Sequence, residues 1–161
     1  MKTLILMRHG KSSWDYEVND RDRPLQERGI NDALLVASRF VFERGSIDAV
    51  FSSPAIRALH TCTIFLRHLG FPIERLKLSE ELYDFSGGNV HQFIKRLDDS
   101  METVMIFGHN NAFTYIANSL GNNSIDNVPT AGLVQISFSI NNWSAITQGT
   151  TENILFPKHL K

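Results

Sequence analysis

Three short apolar runs stop abruptly at polar turns. Leu4-Ile5-Leu6-Met7 leads into Arg8-His9-Gly10, Ala49-Val50-Phe51 into Ser52-Ser53-Pro54, and Val104-Met105-Ile106-Phe107 into Gly108-His109-Asn110. Runs of this length, apolar throughout and bounded by turn residues, predict strands buried on both faces. Between them the period changes to that of a helix. Ile30, Ala33, Leu34, Ala37, Phe40 and Val41 share one face of a predicted helix ending at Gly45. Ala55, Ala58, Leu59, Cys62, Phe65, Leu66 and Leu69 do the same in a second, ending at Gly70. A short strand is expected over 75–78. A third helix is expected around Val90, Phe93, Ile94 and Leu97, and a fourth carries Phe113, Ile116, Ala117 and Leu120 up to Gly121. Val134, Ile136, Phe138 and Ile140 alternate with polar residues as in a half-exposed strand. Ala145 to Thr147 is expected to pair with it through a turn at Asn141-Asn142. The stretch from Lys11 to Arg28 has no period and reads as a long loop, of a length that compact domains reserve for function.

Strand and helix in alternation predict an α/β fold: a three-layer α/β/α sandwich, with helices on both faces of a mostly parallel sheet and an antiparallel edge. The length of 161 residues suits a single domain spanning 1–161. Apolar residues make up 42% and charged residues 20%, ordinary for a globular chain. A net charge of −1 gives no general attraction to nucleic acid or anionic membrane, so neither is an expected partner, and any positive potential must be local. The one cysteine, Cys62, rules out an intrachain disulfide and falls in an apolar helical pattern, where it reads as a buried small hydrophobe. Four apolar residues before Arg8 are too few for a signal peptide or a span, so a cytoplasmic location is expected. With no apolar stripe left over, a monomer is expected.

In open α/β sheets, ligands sit just beyond the carboxyl ends of the strands. The three runs deliver Arg8, His9, Arg57 and His109 to that edge. Arginine donates paired hydrogen bonds to phosphoryl oxygens, a neutral imidazole can attack phosphorus, and a protonated one can donate to an oxygen. Strand alternation would send Arg8 and His9 to opposite faces, so a turn at Gly10 must bring both to the rim. Arg57 near a helix start runs against the dipole preference, a conflict expected where an anion binds between them. Ser12 could donate to phosphate, and Asn110 or Asn111 could cap the helix after His109. His60, His68, His91 and His159 have no partner pattern and read as structural or solvated. Trp14 reads as a loop anchor, and Lys11 as an exposed loop residue.

These motifs resemble the histidine phosphatase superfamily, which includes the phosphoglycerate mutases. The resemblance rests on Arg8-His9-Gly10 with Ser12 and Trp14, then Ser52-Ser53-Pro54-Ala55 with Arg57, Ala58 and Thr61, then Glu81, then Gly108-His109-Asn110. Arg23-Pro24-Leu25 and Arg28-Gly29 resemble the SixA-type phosphohistidine phosphatases in particular. His60 and Lys11 depart from the family pattern without removing a matched catalytic group. The resemblance implies a phosphoglycerate mutase-like fold and a metal-independent phosphatase without cofactors. It implies that His9 becomes transiently phosphorylated, that Arg8 and Arg57 clamp the phosphoryl oxygens, and that His109 completes the pocket as a proton-bearing donor. It implies phosphate contacts from Arg23, with Ser12 and Asn110 as further candidates. Glu81 matches the glutamate that many members use to protonate an alcohol leaving group, with Asp84 as a substitute. A phosphohistidine on a protein is the implied substrate, and a small phosphorylated molecule the alternative. A phosphate-binding module without catalysis would need only the arginines, and a histidine metalloenzyme would need ligand spacings that the sequence lacks.

Overall fold

The computed structural model describes residues 1–161. Six strands form one sheet: β1 (Lys2–Arg8), β2 (Ala49–Ser52), β3 (Lys77–Leu78), β4 (Thr103–Gly108), β5 (Leu133–Phe138) and β6 (Thr150–Leu155), in the order β3-β2-β4-β1-β5-β6. The first four in that order run parallel, and β5 and β6 are antiparallel additions. Four helices cover the sheet: α1 (Glu27–Arg39), α2 (Ile56–Leu69), α3 (Gly88–Lys95) and α4 (Ala112–Leu120).

Alternation along β1 and β4 sorts the apolar side chains into two cores. Leu4, Leu6, Val104 and Ile106 pack with Val90, Ile94, Phe113 and Ile116 of α3 and α4. Ile5, Met7, Met105 and Phe107 pack with Val36, Ala37, Cys62 and Phe65 of α1 and α2. The central strands are therefore buried on both sides, which is why they read as continuous apolar runs. Cys62 is buried, and burial pushes its thiol well above the ordinary range.

Three expectations are corrected. The segment around Ala145 is not a strand. Trp143–Ala145 is a 3-10 turn that drives the fully buried Trp143 into the first core, and the edge strand follows at Thr150–Leu155. The first helix ends at Arg39, leaving Val41 outside it, and Leu34 is half exposed. β5 is buried throughout, including Gln135 and Ser137, rather than half exposed.

The aperiodic stretch after β1 is ordered. Ser12 forms an isolated bridge with Leu25, and Asp20–Asp22 makes one 3-10 turn. Gly10 and Gly29 let its two ends touch: a Cβ on Gly10 would lie 2.5 Å from the Gly29 carbonyl oxygen, and one on Gly29 would lie 2.2 Å from the Lys11 carbonyl oxygen. No side chain larger than hydrogen fits a backbone contact that close.

Candidate functional site

The register of β1 against β4 sets the two histidines side by side. Arg8 pairs with Gly108, so the next residue of each strand, His9 and His109, leaves the sheet at the same level. The His9 amide donates to the Gly108 carbonyl at 3.2 Å, and the two rings stand 5.1 Å apart between centroids. A cavity of about 250 Å³ opens here, lined by Arg8, His9, Ser12, Asp20, Arg23 and Arg57 together with Lys11, Trp14, Phe85, Asn110 and Thr130. A larger hollow of about 460 Å³, between Phe42 and Arg75, lies near the amino end of β2 and holds no such constellation.

The His9 ring is fixed by one bond, Nδ1 to the Gly10 carbonyl at 2.7 Å. A carbonyl only accepts, so Nδ1 carries the hydrogen and Nε2 keeps its lone pair. Burial, reinforced by the charges of Arg57, Arg8 and Arg23, pulls this imidazole down to about 3. His9 is thus a neutral ring with a free nitrogen lone pair. His109 is wholly buried, and its Nε2 lies 2.7 Å from the Ser53 hydroxyl. Ser53 already accepts the Ala55 amide. We assign its hydroxyl hydrogen to the bond with His109, which leaves a hydrogen on Nδ1, a buried atom with no partner. Burial and the neighbouring His9 and Arg57 hold His109 down to about 2. His109 is therefore a neutral donor that carries its proton on Nδ1.

Arg57, 2% exposed, donates through Nη1 to the Asp20 carbonyl at 2.6 Å and through Nη2 to the Asp20 carboxylate at 2.9 Å. Its Nε is buried without a partner, as is that of Arg8, whose Nη1 donates to the Val128 carbonyl at 2.9 Å. Arg23 is held by the Ser12 hydroxyl at 2.7 Å and by Asp20 at 3.2 Å. Buried polar atoms are normally satisfied. Three unsatisfied ones, Arg8 Nε, Arg57 Nε and His109 Nδ1, mark a place built for an acceptor that is not part of the chain. Three guanidiniums and the Lys11 ammonium against one carboxylate leave the pocket lining positive, suited to a phosphoryl dianion.

The sequence pattern did not single out Asp20. Partial burial raises its carboxyl, but hydrogen bonds from Tyr83 (2.5 Å) and Arg57, the Arg57 charge and a bond from Arg23 outweigh that and hold it well below the usual carboxylate range. Its only signal was a place three residues before Arg23 in a charged, aperiodic loop. Ser53, Tyr83 and the carbonyl of Val128 were missed for the same reason: each acts through individual bonds that carry no period.

Glu81 is not brought to the pocket. It pairs with Arg96 and borders a separate cleft with Phe51 and Phe93. Asp84 is also engaged elsewhere, accepting the amides of Ser86, Gly87 and Val90 at the start of α3. Asn110 lines the cavity, but its carboxamide is spoken for: its oxygen accepts the Thr114 amide and hydroxyl, and its nitrogen donates to Asn127. Asn111 is the N-cap residue of α4, yet the side chain that satisfies the helix is that of Asn110. No group of three or more His, Cys, Asp or Glu side chains is arranged to hold a metal ion, and no helix is long and apolar enough to cross a membrane.

A family model described as the histidine phosphatase superfamily, branch 1, matches residues 4–91, more than half of the chain. An uncharacterised Mycobacterium tuberculosis protein is 36% identical over 103 residues, 64% of this chain and 62% of that one. A 2,3-bisphosphoglycerate-dependent phosphoglycerate mutase from Methylobacterium radiotolerans is 34% identical over 107 residues, 62% of this chain. The chain spans only about half the length of that mutase. Among solved structures, the protein histidine phosphatase SixA with tungstate bound superposes with a TM-score of 0.81 over 99% of both chains at 23% identity. A SixA structure from Agrobacterium tumefaciens gives 0.78 over 97% of this chain and 98% of that one at 21% identity. At these identities the shared property is the fold.

Proposed function

The chain belongs to the histidine phosphatase superfamily, and on that premise we propose that it is a phosphatase whose His9 is phosphorylated and then hydrolysed, acting on phosphohistidine carried by a protein. The observation that supports this most directly is the His9 ring, pinned at Nδ1 to the Gly10 carbonyl with its other nitrogen unprotonated, in a cavity flanked by Arg8, Arg57 and Arg23. In the first step the Nε2 lone pair attacks phosphorus and the bond from phosphorus to the leaving group breaks. The arginine Nε atoms and His109 Nδ1 donate to the non-bridging oxygens, where charge accumulates. In the second step water attacks phosphorus, the His9–phosphorus bond breaks, and both water hydrogens depart on dihydrogen phosphate.

The acids present support that choice of substrate class. An alkoxide needs a proton as it leaves, and general acid help is worth about 10²–10⁴-fold. The one carboxyl lining the cavity, Asp20, is ionised, and Glu81 is bound to Arg96 in another cleft. An N-phosphorylated imidazole with a proton on its other nitrogen leaves as neutral imidazole, so no acid need touch the breaking bond. The test is rapid quenching with a radiolabelled phosphohistidine peptide. The wild-type protein is expected to carry an acid-labile, base-stable label, with His9→Ala unlabelled and at least 10³-fold slower. An unlabelled wild type, or an active His9→Ala, would overturn the proposal.

A further inference from the structure

Two aromatic side chains line the same cavity and offer it ring surface. Trp14 is 74% exposed and Phe85 44% exposed. Exposed residues of this size are ordinarily mobile, but both are held. The Arg23 guanidinium lies over the Trp14 ring at 3.6 Å from its centroid, a cation–π contact. Arg23 is in turn fixed by Ser12 and Asp20, so the Trp14 ring is tied to the phosphate pocket itself. Phe85 packs against His109 with centroids 4.9 Å apart and edge-on to Tyr83 at 5.1 Å. Each ring rests on one side against a pocket residue, and each has surface left in solvent.

The phosphoryl oxygens are served by the buried donors deep in the cavity, so the leaving group must project toward the mouth. There Asn110 is already bonded to Thr114 and Asn127, and Arg21 nearby to Glu80, so few polar side chains of the lining are free beyond Lys11 and Thr130. A sugar or glycerate leaving group laid against the ring faces would lose water without gaining partners from them, at a cost in affinity. A flat ring would lose little and would gain stacking area. We propose that Trp14 and Phe85 form the leaving-group subsite of this pocket and select a planar nitrogen heterocycle, the imidazole of a phosphorylated histidine, over non-aromatic leaving groups. This rests on the phosphatase reading above and names the residues that give it substrate selectivity.

The test compares kcat/KM for N-phosphoimidazole with that for acetyl phosphate. Both leaving groups depart without acid help, but only one is aromatic. The ratio of the two, measured on one preparation, does not depend on the fraction of folded protein. It also cancels any common loss from disturbing Arg23. In Trp14→Ala and in Phe85→Ala the ratio is expected to fall, by roughly threefold to tenfold each, the range of a lost aromatic contact. Trp14→Phe is expected to restore most of it. An unchanged ratio in both alanine variants overturns the proposal, even if both activities drop together. A change in one variant alone keeps that residue and removes the other. Failure of the underlying phosphatase reading is separately visible, as the absence of turnover and of label on His9 in the wild type.

Discussion

His9 and His109 are neutral because the fold dehydrates them, and that has a consequence for stability. An unfolded chain protonates both near 6.5, whereas the folded chain holds them down to about 3 and about 2. Between pH 6.5 and 3 the unfolded state therefore binds more protons, so stability falls as pH drops. The sign is that of a depressed pKa: the full stability is present above 6.5 and is lost on the way to 3. Each histidine contributes a slope approaching about 1.4 kcal/mol per pH unit well inside that window. Between pH 6.5 and 5 the acidic side chains held low, Asp20, Glu80, Asp84, Asp98, Asp99 and Glu152, are mostly ionised in both states and add little. Urea denaturation at pH 7 and pH 5 is expected to show a clear drop in wild type and a much flatter response in His9→Gln/His109→Gln. Equal slopes in the two proteins would mean the rings are hydrated in the folded state.

At the scale of elements, the segment between β1 and α1 does what no single strand end could. Its 3-10 turn presents Asp20 to Arg57 of α2, to Arg23 of its own loop and to Tyr83 before α3, while Arg21 pairs with Glu80 and stacks on Tyr83 at 4.2 Å. Asp20 thus holds Arg57 through both Nη atoms and leaves its Nε without a partner in the chain. Hydrogen bonds to charged groups are worth about 1.5–3 kcal/mol. Asp20→Ala is expected to lower kcat by about tenfold to a hundredfold. Inhibition by inorganic phosphate should persist or strengthen, since a negative charge has gone. Weaker phosphate inhibition with unchanged kcat would make Asp20 a binding group instead.

The elements differ in how plainly the sequence announced them. β1, β2 and β4 were legible because burial on both faces demands unbroken apolar runs, and their ends carried Arg8, His9 and His109. β6 was not, since Thr150, Thr151 and Glu152 on a half-exposed edge need no apolar pattern. Ala145 and Ile146 drew attention instead, although Ala145 is exposed and Ile146 enters the core from the end of the Trp143–Ala145 turn rather than from a strand. Glu81 misled for a different reason: a motif position fixes chain order, but the rotation of a short 3-10 turn, Glu80–Leu82, decides where a side chain ends up.

For the whole molecule, a chain of net charge −1 concentrates Arg8, Arg23 and Arg57 around one cavity and offsets them with a single carboxylate. Desolvation and the Arg57 charge pull even the Arg8 guanidinium down from its ordinary value, so crowding these cations away from water carries a cost. Three buried donors or acceptors without partners add to that cost. On the proposed function a tetrahedral oxyanion supplies those partners, and it should stabilise the fold well beyond a general salt effect. Orthovanadate at a hundred times its dissociation constant should contribute about 2.7 kcal/mol, which for a domain of this size raises Tm by roughly 5–10 °C. Arg57→Met removes the orphaned Nε and the charge together. Its Tm is expected to respond no more to vanadate than to chloride at equal ionic strength. An undiminished rise in that variant would place the anion elsewhere on the protein and remove the physical basis for a phosphoryl pocket at the ends of β1 and β4.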